Sequence, residues 1–124
     1  ETSEKLLEMG YSFETIISHD AVVSEYATIG SGVQILPGAI IQAGVTIGNN
    51  SIINTRAVIE HDTHIGRDSH IAPGAVICGG VTCGEEVFIG ANATLVQNTR
   101  IGDRAVVGAA ALVRVNVSSG TTFY

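Results

Sequence analysis

Between Ile17 and Val113 an aliphatic residue returns every six positions without a break, from Ile17, Val23, Ile29 and Ile35 through to Ile101, Val107 and Val113, with Cys83 and Leu95 filling two of the places. Four positions after each comes a small or β-branched residue, always Ala, Val, Ser or Thr, from Ala21 to Val117. A period of six matches neither the helical repeat of 3.6 nor the alternation of a half-buried strand. It fits a parallel β-helix in which each hexad forms one short side of a triangular coil. If three hexads make one turn, residues 18 apart stack at the strand spacing, and the 17 hexads make just under six coils, roughly 27 Å tall. Glycine recurs directly after the aliphatic residue at Gly30, Gly48, Gly66, Gly84, Gly90, Gly102 and Gly108, which reads as a corner that needs a permissive backbone.

Composition agrees with a thin, all-β core. The 124 residues are enough for one domain, and the chain has no Trp and only 5% aromatic residues, so its interior must be built from Ile, Val and Ala. Fifteen Gly against two Pro argue for many tight turns rather than a disordered chain. A net charge of −6 without any cluster of Lys or Arg excludes a nucleic-acid partner. The longest apolar run, Ala105 to Val113, lies between Arg104 and Arg114 and is too short to span a bilayer. With no secretory signal in view and two cysteines of which only Cys83 takes an interior place, a reduced cytoplasmic compartment is expected, with one buried thiol and one turn thiol, Cys78.

The opening residues stand outside the repeat. Glu1 to Gly10 has good helix formers, acids in its first turn and a terminal Gly, which predicts one short helix. Residues 1–16 are therefore expected to be a helix and linker, either the remnant of a preceding domain or a cap on the first coil. Residues 17–118 form the β-helix domain and residues 119–124 a C-terminal tail.

Three of the four histidines lie between Ile53 and Gly80, in the series Ile53-Ile-Asn-Thr, Ile59-Glu-His-Asp, Ser69-His-Ile-Ala-Pro-Gly and Cys78-Gly-Gly-Val. With these motifs, residues 13–118 resemble the C-terminal half of the bacterial sialic acid O-acetyltransferase and UDP-4-amino-sugar N-acetyltransferase family. Right-handed crossovers are the general rule, whereas the resemblance implies the exception, a left-handed parallel β-helix. It also implies a trimer that binds acetyl-CoA in the grooves between copies, with a nucleotide sugar or sialic acid as acceptor, and neither a metal nor a membrane. By motif position His61 would be the base that deprotonates the acceptor, and Asp62 would orient it. His70 would contact acetyl-CoA, and Ala91 and Ala109 would flank its pantetheine arm. Asn54 is expected to make a polar contact on the substrate side. Stacking arithmetic adds one independent point: Gly79 is His61 plus 18, and a glycine beside the base lets a thioester approach an N–H that can serve as an oxyanion donor.

Each assignment has a plain rival. An outward His beside acids is usually a solvated surface, His70 could merely pack at an interface, and Asp62 could be a turn former. His64 falls in a column with Thr28, Thr46 and Thr82, which reads as a surface ladder. Two other function classes also remain open. His61, His64 and His70 invite comparison with a trimeric β-helical zinc carbonic anhydrase, although only an intersubunit arrangement would gather them. A non-enzymatic structural or ice-binding β-helix would want regular Thr rows, and here the single row is broken by His64 and Arg100.

Overall fold

The computed structural model describes residues 14–124. The helix expected over residues 1–10 lies outside the described residues. Within them the chain winds into three parallel sheets of two-residue strands, numbered β1 to β18 in chain order. The first face stacks β1 (Ile16–Ile17), β4 (Gln34–Ile35), β7 (Ile52–Ile53), β10 (His70–Ile71), β13 (Phe88–Ile89), β16 (Val106–Val107) and β18 (Thr122–Phe123). The second stacks β2 (Val22–Val23), β5 (Ile40–Ile41), β8 (Val58–Ile59), β11 (Val76–Ile77), β14 (Thr94–Leu95) and β17 (Leu112–Val113). The third stacks β3 (Thr28–Ile29), β6 (Thr46–Ile47), β9 (His64–Ile65), β12 (Thr82–Cys83) and β15 (Arg100–Ile101). This is a β-helix of six coils, each strand from β1 to β14 pairing in parallel with the one three places on, as Ile41 pairs with Ile59 and Ile59 with Ile77.

The second residue of each strand points inward and the first outward, as the pleat requires. From Ile35 to Leu95 the inward columns are fully enclosed. The companion positions join them, Ala57, Ala75 and Ala93 being buried and Ser51 and Ser69 completing the layer with hydroxyls. Each serine knits two coils: Ser51 Oγ accepts the Ser69 N–H at 3.1 Å and donates to Gly66 O at 2.9 Å. No buried side-chain nitrogen or oxygen among the described residues is left without a partner. Cys83 and Cys78 are both free thiols, Cys83 fully buried and Cys78 half-buried.

Two expectations about the coil need correction. The permissive backbone is not at the glycines that follow the aliphatic residue. Every sixth residue from Gly32 to Ala110 has a positive φ, including Asn50, Asp62, Asp68, Asn92 and Asn98, so the left-handed corner sits two residues later. The glycines directly after the aliphatic residue answer a different demand. A Cβ on Gly66 would collide with the carbonyl of Gly84, and one on Gly48 with the backbone of Arg67. They permit close approach between coils.

The second correction concerns the top. The 18-residue step holds as far as Leu112–Val113 over Thr94–Leu95. Val117, expected as a companion over Thr99, instead bridges Ile101, and Thr122–Phe123 pairs with Val106–Val107, both a step of 16. The last coil crosses the third face two residues short, and Val117 is buried there. Residues 119–124, set apart above as a tail, supply β18 to the first face.

Burial pushes the Cys83 thiol up from 9.0 to about 12. The unfolded chain releases this proton above its ordinary value while the folded chain retains it, so stability falls as pH rises from about 9 toward 12. A thiol reagent at neutral pH should react with one cysteine per native chain and two per denatured chain; two fast native thiols would contradict the packing. Ile65→Ala, which empties a fully enclosed place, should cost about 2–5 kcal/mol in chemical denaturation.

Candidate active site

His61 and Asp62 lie on the edge between the second and third faces, at the corner that links β8 to β9. The corner is fixed from both sides: Asp62 N–H donates to Ala43 O at 3.0 Å in the coil below, and Gly80 N–H donates to His61 O at 2.9 Å from the coil above. Asp62 takes the left-handed backbone, φ 58°, one of the few conformations of that kind an Asp side chain tolerates well. This turns its carboxylate back onto the preceding residue, and His61 Nδ1 lies 3.1 Å from Asp62 Oδ2. A carboxylate can only accept, so Nδ1 carries the proton and Nε2 presents a lone pair. Both side chains are well exposed, 69% and 73%.

The two glycines that bracket this pair are what make its geometry possible. A Cβ on Gly79 would lie 2.6 Å from His61 Nε2 and 2.7 Å from Cε1; the imidazole rests on bare backbone. Cys78 O, in the same peptide unit as the Gly79 N–H, accepts the Thr63 hydroxyl at 3.0 Å, which fixes that peptide plane, and among the described residues no acceptor takes the Gly79 N–H. One coil below, a Cβ on Gly44 would collide with Asp62 Oδ1. Gly44 was not singled out in the sequence, although it is Asp62 minus 18, the same arithmetic that found Gly79.

His70 and Asn54 meet elsewhere. His70 points outward from β10 on the first face, between Ile52 and Phe88, its ring edge-on to Phe88 with centroids 5.3 Å apart at 87°. Asn54 Oδ1 accepts the Thr55 N–H at 2.7 Å, so its amide nitrogen is the atom facing His70 Nε2 at 3.1 Å. His70 Nε2 is then an acceptor, and the free proton of the ring is on Nδ1. The Asn54 amide is thus committed to His70 and to its own turn. Ala91 and Ala109 sit on the edge between the first and second faces, tied by Ala110 N–H to Ala91 O at 2.8 Å. Ala91 lines a hollow of about 410 Å³ with Thr55, Arg56, Pro73, Gly74 and Asn92.

The chain therefore holds two separate groups. His61, Asp62 and Gly79 share one edge, while Asn54, His70, Ala91 and Ala109 share the first face and its far edge, with the whole second face between them. That second face presents Val22, Ile40, Val58, Val76, Thr94 and Leu112 outward, and the first presents Ile16, Gln34, Ile52, His70, Phe88, Val106 and Thr122. The third face is polar, a column of Thr28, Thr46, His64, Thr82 and Arg100. Among the described residues no three His, Cys, Asp or Glu side chains group as metal ligands, and His64 stays in its surface column.

The bacterial transferase hexapeptide model of six repeats matches residues 26–60, 44–79 and 80–114. The chain belongs to that family. No curated protein sequence matches it. Among solved structures, it is similar to a histidine-to-asparagine mutant of perosamine N-acetyltransferase from Caulobacter crescentus in complex with CoA and GDP-perosamine, 33% identical with a TM-score of 0.96 over 98% of this chain and 58% of that one. The acetyltransferase domain of PglB from Neisseria gonorrhoeae, in complex with acetyl coenzyme A, is 34% identical with a TM-score of 0.93, covering 96% of this chain and 58% of that one. WeeI from Acinetobacter baumannii is 27% identical at 0.91, with 96% and 58% covered. This hexapeptide chain thus spans under three fifths of the length of those structures.

Because Gly79 has an ordinary φ and its obstacle is an exposed side chain, Gly79→Ala should leave stability within about 1 kcal/mol but displace the imidazole. Imidazole nitrogen chemical shifts should then report loss of the Nδ1–H to Asp62 bond; an unchanged spectrum would mean that the ring does not need the bare backbone.

Proposed function

We propose that the chain is the β-helical part of an acetyl-CoA-dependent sugar acetyltransferase. The observation that carries this is the His61–Asp62 pair laid over the bare backbone of Gly79. It places a proton acceptor and a potential oxyanion donor within one coil spacing of each other. The CoA and nucleotide-sugar complexes named among the similar structures point the same way.

In this reading the acceptor's amine or hydroxyl attacks the thioester carbonyl while His61 Nε2 removes its proton. Asp62 stabilises the imidazolium that forms, and the Gly79 N–H donates to the oxygen as it becomes negative. Collapse of the tetrahedral intermediate breaks the C–S bond. The imidazolium then returns the proton to the departing CoA thiolate, leaving the acetylated sugar and a neutral histidine. An amine acceptor is favoured, since the similar perosamine enzyme is an N-acetyltransferase.

The second part of the reading is a trimer. The first and second faces are adjacent and mostly apolar, whereas the third is polar, and a closed ring of three prisms would cover the two mostly apolar faces by packing one against the other. Such packing would bring the His70 group of one copy toward the His61 edge of the next. Acetyl-CoA would then lie between copies, with His70 Nδ1–H available to a ligand oxygen and Ala91 and Ala109 leaving room for the pantetheine arm. No helix among the described residues is long and apolar enough to cross a membrane; an acetyl-CoA donor is what supports a cytoplasmic reaction in this reading.

His61→Ala should lower kcat for acetyl transfer to GDP-perosamine or another nucleotide amino sugar by about 10²–10⁴-fold. Its stability should stay within about 0.5 kcal/mol of the parent, as expected for an exposed side chain. A folded variant with full activity would remove His61 from the chemistry, and a variant that fails to fold would make it structural.

A further inference from the structure

On the edge that carries His61, one buried hydroxyl crosses from its own coil to the next. The companion places along this edge are Ala27, Val45, Thr63, Val81 and Thr99. Ala27, Val45 and Val81 carry no hydroxyl, and Thr99 Oγ1 donates within its own corner, to Val96 O at 2.9 Å. Thr63 is fully buried, and its Oγ1 reaches up to Cys78 O at 3.0 Å. Where the companion is Ala, a turn bond closes the corner, as Ala57 N–H donates to Asn54 O at 3.1 Å and Ala93 N–H to Gly90 O at 3.2 Å. The Val81 corner has no such bond, so among the described residues the Thr63 hydroxyl is the one donor to Cys78 O.

That carbonyl shares its peptide unit with the Gly79 N–H. A trans peptide points its C=O and N–H in opposite directions, and there is no cis bond among the described residues. With Cys78 O drawn to a buried hydroxyl, the Gly79 N–H faces outward. Two sister corners show where such an N–H goes. Thr15 Oγ1 donates to Gly30 O at 2.6 Å, and the Ser31 N–H of that peptide unit donates to Asn49 Oδ1 at 2.9 Å. Ser69 Oγ donates to Gly84 O at 3.3 Å, and the Glu85 N–H of that unit donates to Asp103 Oδ1 at 2.8 Å. In both corners the acceptor is a side-chain oxygen from the coil above, and a Cβ on Gly30 or Gly84 would collide with it. Cys78 stands in the place of those glycines and has a Cβ. The coil above supplies no such oxygen here, which leaves the outward N–H to a ligand beside His61 Nε2.

We propose that Thr63 is a positioning residue for acetyl transfer. Resting on the transferase reading, its hydroxyl aims the Gly79 N–H at the thioester oxygen. By polarising the shared amide it also makes that N–H a stronger donor as the oxygen becomes negative. Thr63 acts through one peptide unit and touches neither substrate nor His61.

The test compares Thr63→Val with Thr63→Ser in acetyl transfer to GDP-perosamine or another nucleotide amino sugar. Valine fills the same place at Val45 and Val81, so the variant keeps its volume and loses the hydroxyl; Thr63→Ala, matching Ala27, replaces it should the valine variant not fold. Thr63→Val should lower kcat about tenfold or more, because an oxyanion donor is turned aside. KM for acetyl-CoA should stay within about twofold, and Thr63→Ser should recover most of the rate. The pH profile of kcat/KM should not move, since the His61–Asp62 bond is untouched. A hydroxyl that only holds coils together would lower the melting temperature and leave kcat alone. Nuclear magnetic resonance reads the geometry without turnover: the Gly79 amide nitrogen should shift in Thr63→Val and return in Thr63→Ser, while the His61 ring nitrogens stay. Full kcat in folded Thr63→Val, a serine variant as slow as the valine one, or an unmoved Gly79 resonance overturns the role of Thr63. If the parent chain itself transfers no acetyl group, the transferase reading falls and the role of Thr63 falls with it; an active parent with an equally fast valine variant loses the role of Thr63 alone.

Discussion

The hydrogen-bond ladder between successive coils is the constraint on which everything else in this molecule depends. A strand of two residues has no stability alone. Along the ladder the first N–H of a strand reaches the coil above, as Thr46 N–H reaches Thr63 O at 3.0 Å, and the N–H of a left-handed corner residue reaches the coil below, as Asp62 N–H reaches Ala43 O at 3.0 Å. Such a ladder keeps the 18-residue columns aligned only while successive coils have the same length, as they do up to β17. The hexad follows from that demand, because one inserted residue would turn the inward column of every later strand to solvent. The same demand explains the ends. Each coil contacts only its neighbours, so at the lower end Ile17 is 46% exposed and Tyr26 73% exposed, whereas Ile35, one coil further up, is fully enclosed.

A constant step of 18 also decides what chemistry the surface can hold. It makes neighbours of residues far apart in the chain and sets them on rigid edges, where side-chain positions are well defined. His61 rests on Gly79 and Asp62 on Gly44 for that reason. An imidazole, its carboxylate partner and a bare peptide are brought together by the backbone ladder and one side-chain bond, His61 to Asp62, without a loop to order. Where the step changes to 16, a hollow of about 410 Å³ lies beside Arg100 and Val117.

The sequence disclosed those features that the ladder imposes and hid those that depend on side-chain direction. The inward columns, the three faces and the Gly79 contact all follow from counting sixes and eighteens. The left-handed corner was misplaced because glycine marks two unlike needs in this fold. Gly44 and Gly80 meet a positive φ, Gly48 and Gly66 meet close approach between coils, and Asn, Asp and even Arg56 take over the first role. The short last coil was invisible because Val117 satisfies the apolar pattern in either register. The Asn54–His70 contact was not foreseen because a 16-residue separation joins neighbouring columns rather than one column.

The central claim is that one copy of the chain carries half of a site and the next copy the other half. Mixing two inactive variants tests it most directly: His61→Ala and His70→Ala, unfolded and refolded together in equal amounts, and assayed for acetyl transfer. If the His61 edge works with the His70 face of a neighbour, random assembly restores about a quarter of parental activity, because one site in four draws both histidines from intact partners. If the mixture remains as inactive as either variant alone, the two groups do not meet between copies, and the account of the site fails.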